Sequence, residues 1–118
     1  RLWYAKQPLY RHVGKRAAKR GAMEAFTSRG GVMHAEDVPL PAIADAVGTP
    51  VYVYSLAKLV AKARDFRTGL SALENPHLAF AVKANPNLAV LRVLGREGYG
   101  ADVVSGGELT RALAAGIA

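Results

Sequence analysis

The sequence predicts an α/β fold built on a parallel sheet, and three observations lead there. From Leu78 onward, strand-like and helix-like stretches alternate in the order strand, helix, strand, helix. The connections between them are only a few residues long, as in βα units. Each expected helix closes on glycine, at Gly98 and at Gly116, where a left-handed cap is easily adopted. A closed (β/α)₈ barrel needs about 200 residues or more. The chain has 118 residues, so about two of eight units are expected, as part of either a barrel or a doubly wound sheet.

The elements follow in order. Residues 1–30 show no clean period and are expected to be a basic extension, disordered or foreign to the domain. Within them Arg16, Lys19 and Arg20 could share one helical face, as in a membrane-surface or RNA-binding tail, although charge runs are more often simply solvated. Residues 31–54 are read as a segment preceding the barrel. Pro39 and Pro41 bracket a turn, and Pro41 suits the first turn of a helix. Ile43, Ala46 and Val47 give that helix an apolar stripe, with Gly48 as its C-cap. Val51-Tyr52-Val53-Tyr54 are strand formers. Residues 55–118 are read as the first barrel units. Ser55 can cap an amphipathic helix carrying Leu56, Leu59, Val60, Ala63, Phe66 and Leu70 at helical spacing, and Asn75-Pro76 ends that region. Leu78 to Val82 reads as a buried strand, with Leu78, Phe80 and Val82 on one face and Ala79, Ala81 and Lys83 on the other. Asn85-Pro86-Asn87 forms a turn, and a helix follows from Leu88 to Glu97. A second strand is expected over Ala101 to Ser105, a second helix over Gly106 to Ala115, and a further strand beginning at Ile117.

Composition limits the function classes. The apolar fraction is 51%, enough for a core and too high for a disordered chain. The absence of cysteine excludes a disulfide scaffold and a thiolate metal site, and it suits a reducing cytoplasm. No apolar run approaches the length of a transmembrane helix, and no secretory signal is expected at the start. Residues 1–30 hold eight Lys or Arg and one acid, Glu24, while residues 31–118 hold eight of each sign. The whole net charge of +7 therefore sits in the leading segment. It does not mark the rest as a nucleic-acid-binding domain.

Lys83 carries the sharpest chemical signal. It follows Phe80-Ala81-Val82 at the C-terminal end of a strand, where catalytic groups of barrels gather. Lysine is rare in an apolar strand because burial of its charge is costly. Burial would also favour the neutral amine that attacks a carbonyl. The bland alternative is a lysine reaching out to solvent from a strand edge. Ser105-Gly106-Gly107-Glu108 has the spacing of a capping box, with Glu108 reaching back to the Ser105 amide. Asn85 serves as a turn residue, and Gly106-Gly107 reads as turn chemistry. His12, His34 and His77 have no metal-ligand spacing.

The stretch Phe80-Ala81-Val82-Lys83-Ala84-Asn85, followed by Val90, Leu91, Leu94 and Gly98, resembles the cofactor-attachment segment of the pyridoxal phosphate (PLP) dependent basic amino acid decarboxylases. His34-Ala35-Glu36-Asp37-Val38-Pro39-Leu40, Ile43-Ala44 and Val47-Gly48-Thr49-Pro50-Val51-Tyr52-Val53-Tyr54 are similar to the start of the diaminopimelate decarboxylases within that family. Gly100-Ala101-Asp102-Val103-Val104-Ser105-Gly106-Gly107-Glu108-Leu109 is similar to their second strand and turn. The resemblance covers residues 31–118.

It implies the N-terminal part of a PLP-binding, TIM-like (β/α)₈ barrel of alanine-racemase-like type, ending before barrel closure and before a C-terminal β-sandwich domain. Lys83 then corresponds to the lysine that holds PLP as a Schiff base. Asp102 and Glu108 correspond to acidic positions near the cofactor, with capping and site lining both open for Glu108. Ala81 and Asn85 are weaker lining candidates. The implied reaction is decarboxylation of meso-2,6-diaminopimelate to L-lysine and CO₂, in a cytoplasmic homodimer with active sites at the interface. No nucleic acid, membrane or metal partner is implied, and the 118 residues alone are expected to be inactive. Ornithine or arginine decarboxylases, amino acid racemases of the same fold and non-catalytic PLP carriers are the rivals. Pro86-Asn87-Leu88-Ala89 departs from the racemases, and the Val47-Gly48-Thr49-Pro50 block favours the diaminopimelate enzymes.

Overall fold

A computed structural model describes residues 24–118. The expected face of Arg16, Lys19 and Arg20, and His12, lie outside the described residues. The chain divides into two units, Arg1–Ser55 and Leu56–Ala118.

The described part of the first unit is an antiparallel meander, with β1 (Phe26–Arg29), β2 (Val32–Ala35) and β3 (Val38–Pro39) in that order. Gly30 and Gly31 form the β1–β2 turn at φ 57° and 79°, the doubly left-handed backbone that two-residue hairpins favour and glycine adopts freely. Phe26 pairs with Ala35 and Arg29 with Val32. The expected extension over 1–30 is therefore corrected at its end: residues 26–29 are a paired strand. Charge dominated the reading of that segment, although Gly30-Gly31 is itself a hairpin signal.

Helix α1 (Leu40–Val47) starts after Pro39, whose φ of −60° and ψ of 132° end the strand. Pro41 stands in its first turn, and Gly48, at φ 82°, donates its N–H to the Ala44 carbonyl at 2.7 Å. The strand expected over Val51–Tyr54 is absent, and those residues are neither helix nor strand. Strand-forming side chains need a neighbouring backbone to pair with, and β3 pairs with β2 alone. Ser55 is buried, and its hydroxyl donates to Glu36 Oε1 at 2.7 Å.

The second unit contains α2 (Leu56–Gly69), β4 (Ala79–Ala81), a 3₁₀ turn (Val82–Ala84), α3 (Leu88–Arg96), β5 (Gly100–Asp102) and α4 (Gly106–Ala114). β4 and β5 pair in parallel, as the alternation of elements predicts. Among the described residues these two strands form an open ladder and no closed barrel. Both strands are shorter than expected, because the chain turns into the 3₁₀ segment at Val82 and the ladder stops at Asp102. Ile117 begins no strand. Its side chain is buried against Val82 and Leu91, and its N–H closes onto the Ala112 carbonyl at 3.0 Å.

Two clusters fill the interior. One gathers Val82, Leu91, Ala112, Ala115 and Ile117; the other gathers Ala63, Val90, Leu94 and Tyr99. Phe80 packs against both. Gly95 is where the chain requires a missing side chain: a Cβ there would stand 2.9 Å from Ile117 Cγ1. In α2 only Ala63 is buried, and Phe66 remains exposed.

Candidate functional site

The expected site residues gather at the C-terminal ends of the two parallel strands. Ala81 is the ladder partner of Asp102, so the last residues of β4 and β5 stand side by side. The chain beyond Ala81 is pinned by Val82, which is wholly buried. Of the apolar face expected here, Phe80 in β4 is half-buried and Val82, just past the strand, is buried in the 3₁₀ turn.

Lys83 follows in the middle of the 3₁₀ turn and is exposed. This corrects the expectation of a buried lysine. Ala79, its expected face-mate, is exposed as well, and two strands provide too little wall to desolvate a side chain. The Lys83 amine makes no hydrogen bond or ion pair among the described residues. Asp102 is exposed and Ala81 half-buried.

Asn85 acts through the backbone. Its N–H donates to the Val82 carbonyl at 3.1 Å, closing the turn around Lys83. Its Oδ1 accepts from the Asn87 N–H at 3.1 Å. Asn87 in turn caps α3, its Oδ1 accepting from the amides of Ala89 at 2.9 Å and Val90 at 3.4 Å. The turn reading of Asn85 therefore has observed bonds behind it.

Glu108 sits where the capping-box spacing places it. Its N–H donates to Ser105 Oγ at 3.2 Å, and its Oε2 accepts from the Val104 amide at 2.9 Å. The carboxylate thus reaches one residue further back than the Ser105 amide expected from the motif. Gly106 and Gly107 open α4 with no atom close to where their Cβ would be. Among the described residues no His, Asp and Glu cluster suits a metal. His34 spends Nδ1 on the Val32 carbonyl at 2.9 Å.

Sequence reasoning missed the residues that fix the entry into β5. Arg64 Nε and Nη2 donate to the Glu97 carboxylate at 2.7 and 2.9 Å. Arg67 donates to the Glu97 carbonyl and lies over the Tyr99 ring, 5.8 Å from its centre. The Tyr99 hydroxyl donates to the Ala63 carbonyl at 2.8 Å in the interior. These contacts tie α2 to the segment that leads into β5. The partners are 30 or more residues apart, so no local spacing reveals them. The Arg64 hydrogen bond is the main cause holding the Glu97 carboxyl below its ordinary value, with charge attraction to Arg64 and Arg67 adding to it against a desolvation that acts upward.

The geometry offers a free primary amine on a rigidly rooted turn, with a carboxylate at the neighbouring strand end. Such an amine can form a covalent bond to a carbonyl group.

Four similarities to known proteins bear on this site. The pyridoxal-binding domain of the pyridoxal-dependent decarboxylases matches residues 56–118. A diaminopimelate decarboxylase of Pseudomonas fluorescens is 58% identical over 95 residues, covering 80% of this chain and 22% of that protein. One from Zymomonas mobilis is 48% identical over 97 residues, covering 80% and 23%. Among solved structures, a diaminopimelate decarboxylase from M. jannaschii in complex with L-lysine is 30% identical, with a TM-score of 0.67 over 80% of this chain and 23% of that one. The chain spans a little over a fifth of the length of the curated relatives it matches.

Proposed function

The chain belongs to the pyridoxal-dependent decarboxylase family, and from that premise we propose that it serves in the decarboxylation of meso-2,6-diaminopimelate to L-lysine and CO₂, with Lys83 as the residue that holds PLP. The observation that carries the reading is the placement of Lys83: exposed, unpaired among the described residues, and rooted by buried Val82 beside the paired ends of β4 and β5. The relatives named for this reaction, and a structural neighbour described with L-lysine, support the choice of substrate and product.

The residues present fit the cofactor. Attachment of an aldehyde needs an accessible amine not already committed to an ion pair, and Lys83 supplies one. When bound, PLP supplies an electron sink for the pair released as the carboxylate departs. This chain's part is to hold and orient. Lys83 Nζ fixes the cofactor to a turn that the core anchors. Asp102 presents a carboxylate at the adjacent strand end, beside half-buried Ala81. Glu108 shapes the β5–α4 turn through Val104 and Ser105. Orientation matters because a reacting bond must be held in alignment with the group that would take up its electrons. A homodimeric, cytoplasmic enzyme belongs to the same proposal. Among the described residues, no helix is long and apolar enough to cross a membrane.

The test is CO₂ release from meso-diaminopimelate by the full-length product of this reading frame with PLP added. Release that vanishes in Lys83→Ala is the expected result. PLP binding without release would overturn the substrate assignment, and full activity in Lys83→Ala would overturn the role of the lysine.

A further inference from the structure

We propose that Asn85 is a positioning residue for Lys83, setting the direction in which its side chain leaves the backbone. The proposal rests on the reading of Lys83 as the attachment residue.

Lys83 has no side-chain partner among the described residues to aim it. Its direction is therefore set by the backbone on either side. On the N-terminal side, Val82 is immobilised by complete burial. On the C-terminal side the next fixed point is Asn85, extended at φ −158° and ψ 98°. Its N–H is bonded to the Val82 carbonyl at 3.1 Å, so Val82 and Asn85 close a loop with only Lys83 and Ala84 between them.

Asn85 is itself held by its side chain, since Oδ1 accepts from the Asn87 N–H at 3.1 Å. That clip spans Pro86, which has no N–H to offer and a fixed φ. Asn87 then joins the clip to the first turn of α3. A second brace comes from α4, where Arg111 Nη1 donates to the Pro86 carbonyl at 3.4 Å. The turn that carries the amine is thus tied to α3 through one side-chain oxygen of Asn85. Such Asx bonds are a common local device; here the device encloses the one residue whose direction must be fixed.

The two asparagines can be separated experimentally. Asn85→Ala removes the clip and leaves the α3 cap. Asn87→Ala removes the cap and leaves the clip, because the clip uses the Asn87 backbone N–H. Asn85→Asp keeps an acceptor in place. The full-length protein is mixed with PLP, reduced with borohydride at timed intervals, and the fraction of modified residue 83 is read by peptide mass spectrometry. Circular dichroism checks that each variant is folded.

Asn85→Ala is expected to slow trapping at Lys83 by about tenfold, the scale of a modest misplacement of a reacting group. Asn85→Asp and Asn87→Ala should trap near the wild-type rate, the latter with a lowered melting temperature. A wild-type rate in Asn85→Ala overturns the proposal. So do equal losses in Asn85→Ala and Asn87→Ala, which would mean general loosening. If the alanine variant does not fold, Asn85→Gln takes its place, polar but with its acceptor one methylene out of position, and a wild-type rate there overturns the proposal equally. Wild-type protein modified elsewhere than Lys83 overturns the attachment reading itself, a separate result.

Discussion

Arg64 and Glu97 face each other across 33 residues of sequence and meet through two hydrogen bonds, at 2.7 and 2.9 Å. The Glu97 side chain is 17% exposed and that of Arg64 67%, so the carboxylate sits in the packing while the guanidinium covers it from solvent. Glu97 titrates below its ordinary value, chiefly through the Arg64 hydrogen bond. A carboxyl lowered by folding stabilises the protein above its unfolded value, near pH 4.3, and that contribution is lost as pH falls through the lower folded value. The melting temperature of the full-length protein should therefore drop between about pH 5 and pH 3. Glu97→Gln should shrink the part of that drop that this pair supplies, and an unchanged profile would count against the pair.

Tyr99→Phe tests the interior bond to Ala63. The ring is 9% exposed, and removal of its hydroxyl leaves the Ala63 carbonyl without that donor. The Ala63 carbonyl lies inside α2 and keeps its helical acceptor bond, so a loss of about 0.5–1.5 kcal/mol is expected, the usual net contribution of one hydrogen bond. Urea unfolding with an unchanged m-value would measure it.

Leu91→Ala tests the cluster beneath the lysine turn. Leu91 is wholly buried against Val82 and Ile117. Truncation should cost about 2–5 kcal/mol. It should also weaken PLP attachment at Lys83, since Val82 loses a packing partner; timed borohydride trapping reads this.

Lys83→Ala should do the reverse. Its side chain is exposed and unpaired among the described residues, so stability should stay within about 0.5 kcal/mol. The absorbance of bound PLP near Lys83 should disappear. A large stability loss without cofactor present would show that Lys83 holds the fold together.

Much of the second unit was legible because its signals are local. Helical spacing, glycine caps and the strand-turn-helix rhythm each act within a few residues, and α2, α3, α4 and the parallel pair appear near their expected places. Asn85 and Glu108 also act locally, and both make bonds of the kind their neighbours suggested. Two readings failed for one reason. Val51–Tyr54 has strand-forming side chains but no strand partner, and Lys83 has the sequence of a buried lysine without walls around it. Each depends on backbone or side chains remote in sequence. The Arg64, Arg67, Glu97 and Tyr99 contacts were invisible on the same ground. The Gly30-Gly31 hairpin was legible and was obscured by the basic residues around it.

Phe80 is shared by both interior clusters, and that sharing has a consequence for how the second unit can change. A single ring is a common wall between the packing under α2 and the packing under the lysine turn. A change in the volume of either compartment bears on it. Substitutions at Ala63 or Leu94 that alter the fit of that ring would reach the cluster of Val82 through it. The region around Lys83 is in this sense tuned from behind, and compensating changes for a damaged site should be sought on the far side of Phe80.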